Sequence, residues 1–227
     1  MEGEPAMRAL DFERLPESEM RRRAIAFRDT AITRRSVRHF SRETIPLDVV
    51  KACIAAAGTA PSGANKQPWS FVLVTDPDLK NEIRVGAEEE EEAFYGGRAP
   101  DRWLKDLEPF GTNAQKPMLE DAPALIAVFA QRYGDRTDET HYYVQESVGI
   151  AVGILLSALH HAGLATLVHT PSPMKFLGRI LGRPTNERPY LLIPCGYPTP
   201  DCQVPDIRRK DLEQILFQSI ELAVEPA

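Results

Sequence analysis

The segment Tyr142 to His161 constrains the fold more than any other. Its apolar stretch, Val148 to Leu159, runs 12 residues without a charge. A bilayer-spanning helix needs about 20 such residues, so this stretch reads as a core helix of a globular protein. Gly163 lies just beyond it as a natural C-terminal stop. Gly149 and Gly153, four residues apart with Ala151 and Ser157 nearby, leave room for a second helix to approach closely.

Around this helix the chain alternates helical and extended patterns. Ser18 caps an expected helix running to about Ile32. Pro46 opens another, with Val49, Val50, Cys53, Ile54 and Ala57 at helical spacing and Gly58 at its end. Asp78 to Tyr95 reads as a third helix, carrying Glu88 to Glu92 and broken by Gly96 and Gly97. Strands are expected at Trp69 to Val74, Ala124 to Ala130, Ala165 to His169 and Tyr190 to Ile193. Residues 98–122 read as polar and irregular, and residues 205–227 as a last helix and a tail. The pattern implies an α+β fold with a sheet of about four strands between helices. Residues 1–17 read as a mobile arm and 18–227 as one domain.

Composition removes several function classes. The formal net charge is −6, which argues against a general nucleic-acid binder. Cys53, Cys195 and Cys202 are odd in number and match neither a zinc ribbon nor a CxxC pair, as expected of free thiols in a reducing compartment. The five histidines form no HExxH pattern, so no metal site is expected. The first 20 residues hold no apolar signal core, and a cytoplasmic protein away from membranes is expected.

Four features point to chemistry. Arg34, Arg35 and Arg38, with Ser36, make a dense set of phosphate donors, or else a solvated basic helix end. Arg208-Arg209-Lys210 is a second basic cluster, and neither a Walker A nor a GxGxxG sequence is present. The small-residue loop Thr59 to Asn65 suits close backbone approach to a planar ligand or an anion, or is a tight helix-to-strand connection. Glu91 and Tyr95, spaced i,i+4, share a helix face, and Lys116 follows across a polar loop. A carboxylate, a phenol and an ammonium are what the zwitterion of a free amino acid requires, although most glutamate runs are only solvated faces. Thr170 follows a short strand and can present a hydroxyl, or simply occupy a turn.

Together these residues resemble the flavin-dependent nitroreductase superfamily, and within it the iodotyrosine deiodinase branch. The matching segments are RRSVRHF (34–40), AGTAPSGANKQPW (57–69), EEEEEAFY (88–95), TNAQK (112–116), HYYVQESVGIAVGILLSALHHAGL (141–164), LGRP (181–184) and VPDIRRKDLEQI (204–215). The arginine and APSG motifs are shared across the superfamily; the glutamate run with its tyrosine and downstream lysine marks the branch. The resemblance implies a mixed α/β sandwich with a central sheet, in a domain-exchanging homodimer. It implies FMN, held by Arg34, Arg35, Ser36, Arg38 and Arg209 at its phosphate and ribityl chain. Pro61, Ser62 and Gly63 would lie along the flavin from the other subunit, and Thr170 would be the catalytic hydroxyl beside flavin N5. The Ala64 backbone N–H would donate to a halotyrosine phenolate, while Glu91, Tyr95 and Lys116 clasp its ammonium and carboxylate under a lid of about residues 85–118. The implied reaction is reductive dehalogenation of halotyrosines by one-electron flavin steps, with an external reductant or an NAD(P)H-linked reductase supplying electrons. A general nitroreductase or quinone reductase, and a non-catalytic flavin or halotyrosine-binding protein, stay open as alternatives.

Overall fold

The computed structural model describes residues 6–134 and 136–218. Along the chain, α1 spans Glu17–Thr33, α2 Leu47–Ala57, β1 Trp69–Val74, α3 Pro77–Ala93, α4 Asp101–Leu107, α5 Met118–Asp121, β2 Ala124–Gln131, α6 Val144–His161, β3 Ala165–Thr166, α7 Lys175–Ile180 and β4 Glu187–Gly196. The strands form one sheet in the order β1-β2-β4-β3 with every pairing antiparallel.

β2 organises the interior. Successive side chains on a strand face opposite ways, so an unbroken apolar strand must be covered on both faces. Ala124, Ile126, Val128 and Ala130 pack with Val50, Cys53 and Ala57 of α2 and Val148, Val152, Leu155 and Leu159 of α6. Leu125, Ala127 and Phe129 pack on the other side with Ile83 and Ala87 of α3, Leu119 of α5, and Phe176 and Leu177 of α7. The result is a sheet between two helical layers, the α+β arrangement expected.

Several boundaries differ from the sequence expectation. α1 begins at Glu17, not after a Ser18 cap. Pro16 is the boundary residue and its carbonyl accepts from Glu19 and Met20. Residues 98–122 are not simply irregular, because α4 and α5 lie within them. Each follows a proline, Pro100 and Pro117, whose fixed φ suits a helix start. The strand expected at Ala165 to His169 pairs regularly only at Ala165 and Thr166, with His169 joined to Leu192 by a separate bridge. Of the last helix, only one 3-10 turn, Leu212–Gln214, forms among the described residues; residues 219–227 lie outside them. Leu212, Ile215, Leu216 and Phe217 are exposed, so among the described residues that segment packs against no core.

α3, which carries the glutamate run, is seated by a close approach. A Cβ on Gly86 would fall 2.7 Å from the Phe176 ring. Gly86→Ala is therefore expected to destabilise the protein by about 1–3 kcal/mol, read as a lowered midpoint in thermal unfolding; an unchanged midpoint would show that α3 and α7 separate freely.

Candidate functional site

The five consecutive glutamates of α3, Glu88 to Glu92, have separate jobs. Glu88 and Glu91 turn inward on one helix face, while Glu89 and Glu92 are exposed. Glu88 pairs with Arg84 at 2.9 Å, and its Oε1 accepts the Lys116 backbone N–H at 2.6 Å. Glu90 pairs with Arg98 at 2.9 Å. Arg98 also donates to the Ser172 carbonyl at 2.5 Å, which ties the end of the glutamate helix to the loop after Thr170. Past α3 the backbone widens into a π turn, Phe94–Arg98, where Gly97 takes φ +132°, a region that favours glycine. Phe94 then meets Tyr95 and Trp103 edge to face, at 5.3 and 5.1 Å between ring centroids.

Beneath this roof lies a cavity of about 460 Å³ lined by Glu91, Tyr95, Lys116, His169 and Thr170, among others. Lys116 Nζ sits 3.1 Å from Glu91 Oε2, with the lysine side chain 3% exposed and the glutamate 14%. The ammonium also donates to the Asn113 carbonyl and lies 5.5 Å from the Tyr95 ring centroid. Burial pushes Lys116 below the usual lysine range, opposed by the Glu91 carboxylate. His169 is held by reciprocal 2.9 Å backbone bonds with Leu192. Burial, then the Lys116 and Arg38 charges, pushes its imidazole down to about 3, so it is neutral. Thr170, one residue further, is exposed on the cavity wall.

A second cavity, about 160 Å³, gathers Arg34, Arg35, Ser36, Arg38 and Arg209. Arg209 donates to the carbonyls of Ile32 at 2.9 Å and Arg34 at 2.5 Å, and Arg35 donates to Pro205. Burial, then the Arg209 and Arg35 charges, pushes Arg34 below its ordinary value. Among the described residues, none of these four arginines has a carboxylate partner. Guanidiniums gathered without counterions suit an anion of more than one charge. Arg38 lines both cavities.

A profile described as "Nitroreductase family" matches residues 31–197. The chain belongs to the nitroreductase family. Within that family it falls in the iodotyrosine deiodinase branch. It is 56% identical over 186 residues to the protein named iodotyrosine deiodinase from Haliscomenobacter hydrossis, covering 81% of this chain and 84% of that one. It is 47% identical to iodotyrosine deiodinase 1 of Mus musculus, covering 89% of this chain and 73% of the relative. A solved structure described as oxidized iodotyrosine deiodinase bound to FMN and 3-iodo-L-tyrosine superposes with a TM-score of 0.75 at 32% identity, covering 86% of this chain and all of that one (100%).

This nitroreductase-family chain brings most of the expected residues together, in two groups: Arg34, Arg35, Ser36, Arg38 and Arg209 in one cavity, and Glu91, Tyr95, Lys116 and Thr170 in the other. Pro61, Ser62, Gly63 and Ala64 line neither. Their loop is built with care all the same. Ala64, Asn65 and Gln67 take φ of 49°, 55° and 49°, and Ser62 Oγ accepts the Gln67 N–H at 2.9 Å. A Cβ on Gly63 would fall 2.8 Å from the Tyr142 carbonyl oxygen, so the glycine permits that contact. Sequence reasoning missed Phe94, Trp103 and His169 as cavity walls. Trp103 and Leu107 at i,i+4 were the available signal for a short helix with one apolar face; His169 carried none. Among the described residues, no helix is long and apolar enough to cross a membrane.

Proposed function

We propose that this chain is an FMN-dependent reductive deiodinase of halotyrosines, acting as a homodimer. The observation that carries the reading is the buried Glu91–Lys116 pair beside Tyr95, in a cavity that shares Arg38 with the arginine pocket. A zwitterion can take over both charges, its ammonium at Glu91 and its carboxylate at Lys116. The arginine pocket fits the phosphate of FMN because five arginines, Arg34, Arg35, Arg38, Arg208 and Arg209, line it together with a hydroxyl residue, Ser36. On this reading residues 18–227 act as one FMN-binding domain with a lid of about residues 85–118.

When bound, FMN supplies the electrons, passed one at a time: the carbon–iodine bond gives way to carbon–hydrogen with two electrons and one proton consumed, and iodide leaves. The chain's residues bind, orient and exclude water. Thr170 is assigned a hydroxyl contact at flavin N5, and the aromatic roof of Phe94, Tyr95 and Trp103 shields the ring being dehalogenated. The Ala64 N–H is assigned to the substrate phenolate, with Pro61, Ser62 and Gly63 along the flavin, all from a second copy. Their absence from both cavities of their own chain supports this. So does the outward stripe of Glu146, Ile150 and Gly153 on α6, where a Cβ on Gly153 would meet nothing within 4 Å. Electrons would come from an external reductant or an NAD(P)H-linked reductase, in a reducing cytoplasm that suits three free cysteines.

The test is anaerobic. Purified dimer is photoreduced and mixed with 3-iodo-L-tyrosine; flavin reoxidation with matching iodide release is expected, and a flavin that stays reduced would overturn the reading. Arg34→Ala is expected to weaken FMN binding by about 10- to 100-fold, since a hydrogen bond to a charged group is worth about 1.5–3 kcal/mol. Flavin titration of the apoprotein checks this, and an unchanged affinity would move the phosphate elsewhere.

A further inference from the structure

We propose that His169 is a positioning residue for Glu91: its imidazole carries a proton on Nε2 and donates it to the Glu91 carboxylate when a ligand ammonium draws that carboxylate from Lys116. The inference rests on the zwitterion reading above and adds a residue to it.

Among the described residues, His169 Nε2 is the one fully buried side-chain nitrogen or oxygen without a hydrogen-bond partner. A buried polar atom left unpaired is costly, and native interiors rarely keep one without a use. The ring lines the ligand cavity, and its side chain is 9% exposed. Its nearest carboxylate oxygen, Glu91 Oε1, stands 3.9 Å away, beyond hydrogen-bond range. The other oxygen, Oε2, faces Lys116 at 3.1 Å. Glu91 therefore has one oxygen committed and one bare, and the bare one points at the only orphan nearby.

Chemistry fixes which partner donates. An ionised carboxylate only accepts, so the proton must sit on the imidazole. The charges facing His169 are Glu91, Lys116 and Arg38, two cations to one anion, so a charged imidazole is disfavoured and a single N–H remains. Backbone bonds to Leu192 hold the residue in register on both its N–H and its C=O, so the carboxylate is the mobile member. With an ammonium on Glu91, a shift of under about 1 Å by the carboxylate brings Oε1 within range of Nε2. The orphan is then satisfied only in the liganded state, which adds affinity for ligands that carry an ammonium and none for those that do not.

The experiment compares holoenzyme binding of 3-iodo-L-tyrosine and 2-iodophenol by flavin fluorescence. In His169→Leu, iodotyrosine binding is expected to weaken at least about tenfold while iodophenol changes less than about twofold. His169→Gln, whose amide N–H reaches the Nε2 position, is expected to recover most of the loss. Equal weakening for both ligands would show a packing role, and no change for either would show no role; each overturns the inference. If His169→Leu fails to hold flavin, His169→Asn decides, because its amide is one methylene shorter and the same selective loss is expected; wild-type discrimination in that variant overturns the proposal. A wild-type enzyme that binds iodophenol as tightly as iodotyrosine overturns the zwitterion reading itself, and this inference with it.

Discussion

Glu91→Gln is expected to weaken 3-iodo-L-tyrosine binding at least about 30-fold while leaving nitroaromatic reduction nearly unchanged. Truncating one partner of a desolvated charge pair costs about 2–5 kcal/mol, and each 1.4 kcal/mol is about tenfold. The geometry makes the effect compound. Lys116 is 3% exposed and its ordinary value is already pushed down by burial. Without Glu91 the lysine loses the charge that opposes that push, and discharges more readily. The ligand then loses the partner of its ammonium outright and part of the partner of its carboxylate. Binding energy from the zwitterion also orders the roof, so kcat for deiodination should fall with affinity. A simple nitroaromatic has neither charge and still finds the flavin. Titration and turnover of both substrates, side by side for Glu91→Gln and Lys116→Met, check the outcome. Equal losses on both would leave a general flavin reductase as the reading.

Acidification from pH 6.5 to 4 is expected to remove about 3 kcal/mol of stability from the wild-type protein that His169→Gln retains. In the unfolded chain a histidine takes its proton near 6.5, whereas folded His169 stays neutral down to about 3. Between those limits the unfolded state binds more protons, so stability falls as pH falls, by about 1.4 kcal/mol per unit. Glu120 and Glu187 are held below their ordinary values, Glu120 by hydrogen bonds from Asn81 and Arg84 and Glu187 by those from Arg183, Ser70 and Gln131 against its burial. They add acid sensitivity of the same sign. Both proteins share that part, so the difference between their profiles isolates the histidine. Urea unfolding at pH 6.5, 5 and 4 measures it, and parallel profiles would mean that His169 is protonated in the folded state.

What could be read from the sequence was whatever a short-range pattern records. β1 matches Trp69 to Val74 residue for residue, and β2 and α6 follow from their apolar runs, because burial on a two- or 3.6-residue period leaves a mark in the letters themselves. The two charged clusters were legible as well, since Arg34, Arg35 and Arg38 are neighbours and Glu91 and Tyr95 share a helix face. The grouping of Lys116 with Glu91 was only suggested by its residue type and gained its weight from family resemblance, because no local rule joins residues across a polar loop. α4 and α5 were missed because their few apolar residues face a cavity edge and a neighbouring helix, giving too short a run to show a period. His169 was invisible as a site residue for a different reason. Its neutrality and its orphaned nitrogen depend on Lys116, Arg38 and Glu91 arriving from three other segments, and nothing in the tripeptide around it encodes that.

α1 buries none of its 17 residues, and Met20, Ile25, Phe27 and Ile32 stand exposed along it. An isolated helix of this size is marginal in water, and among the described residues only its Thr30–Thr33 end is tied to α6, through His160, so the proposed dimer would supply the cover it lacks. Its C-terminal end feeds directly into Arg34, and the Ile32 and Arg34 carbonyls are where Arg209 anchors. With a second copy as the cover, mass action links helix order to protein concentration. Dilution would loosen α1 first, then the arginine pocket it delivers, and the cofactor would leave before the core melts. The flavin content of a preparation thus becomes a gauge of how much of this protein is present, with the yellow colour fading on dilution at constant temperature and returning on reconcentration.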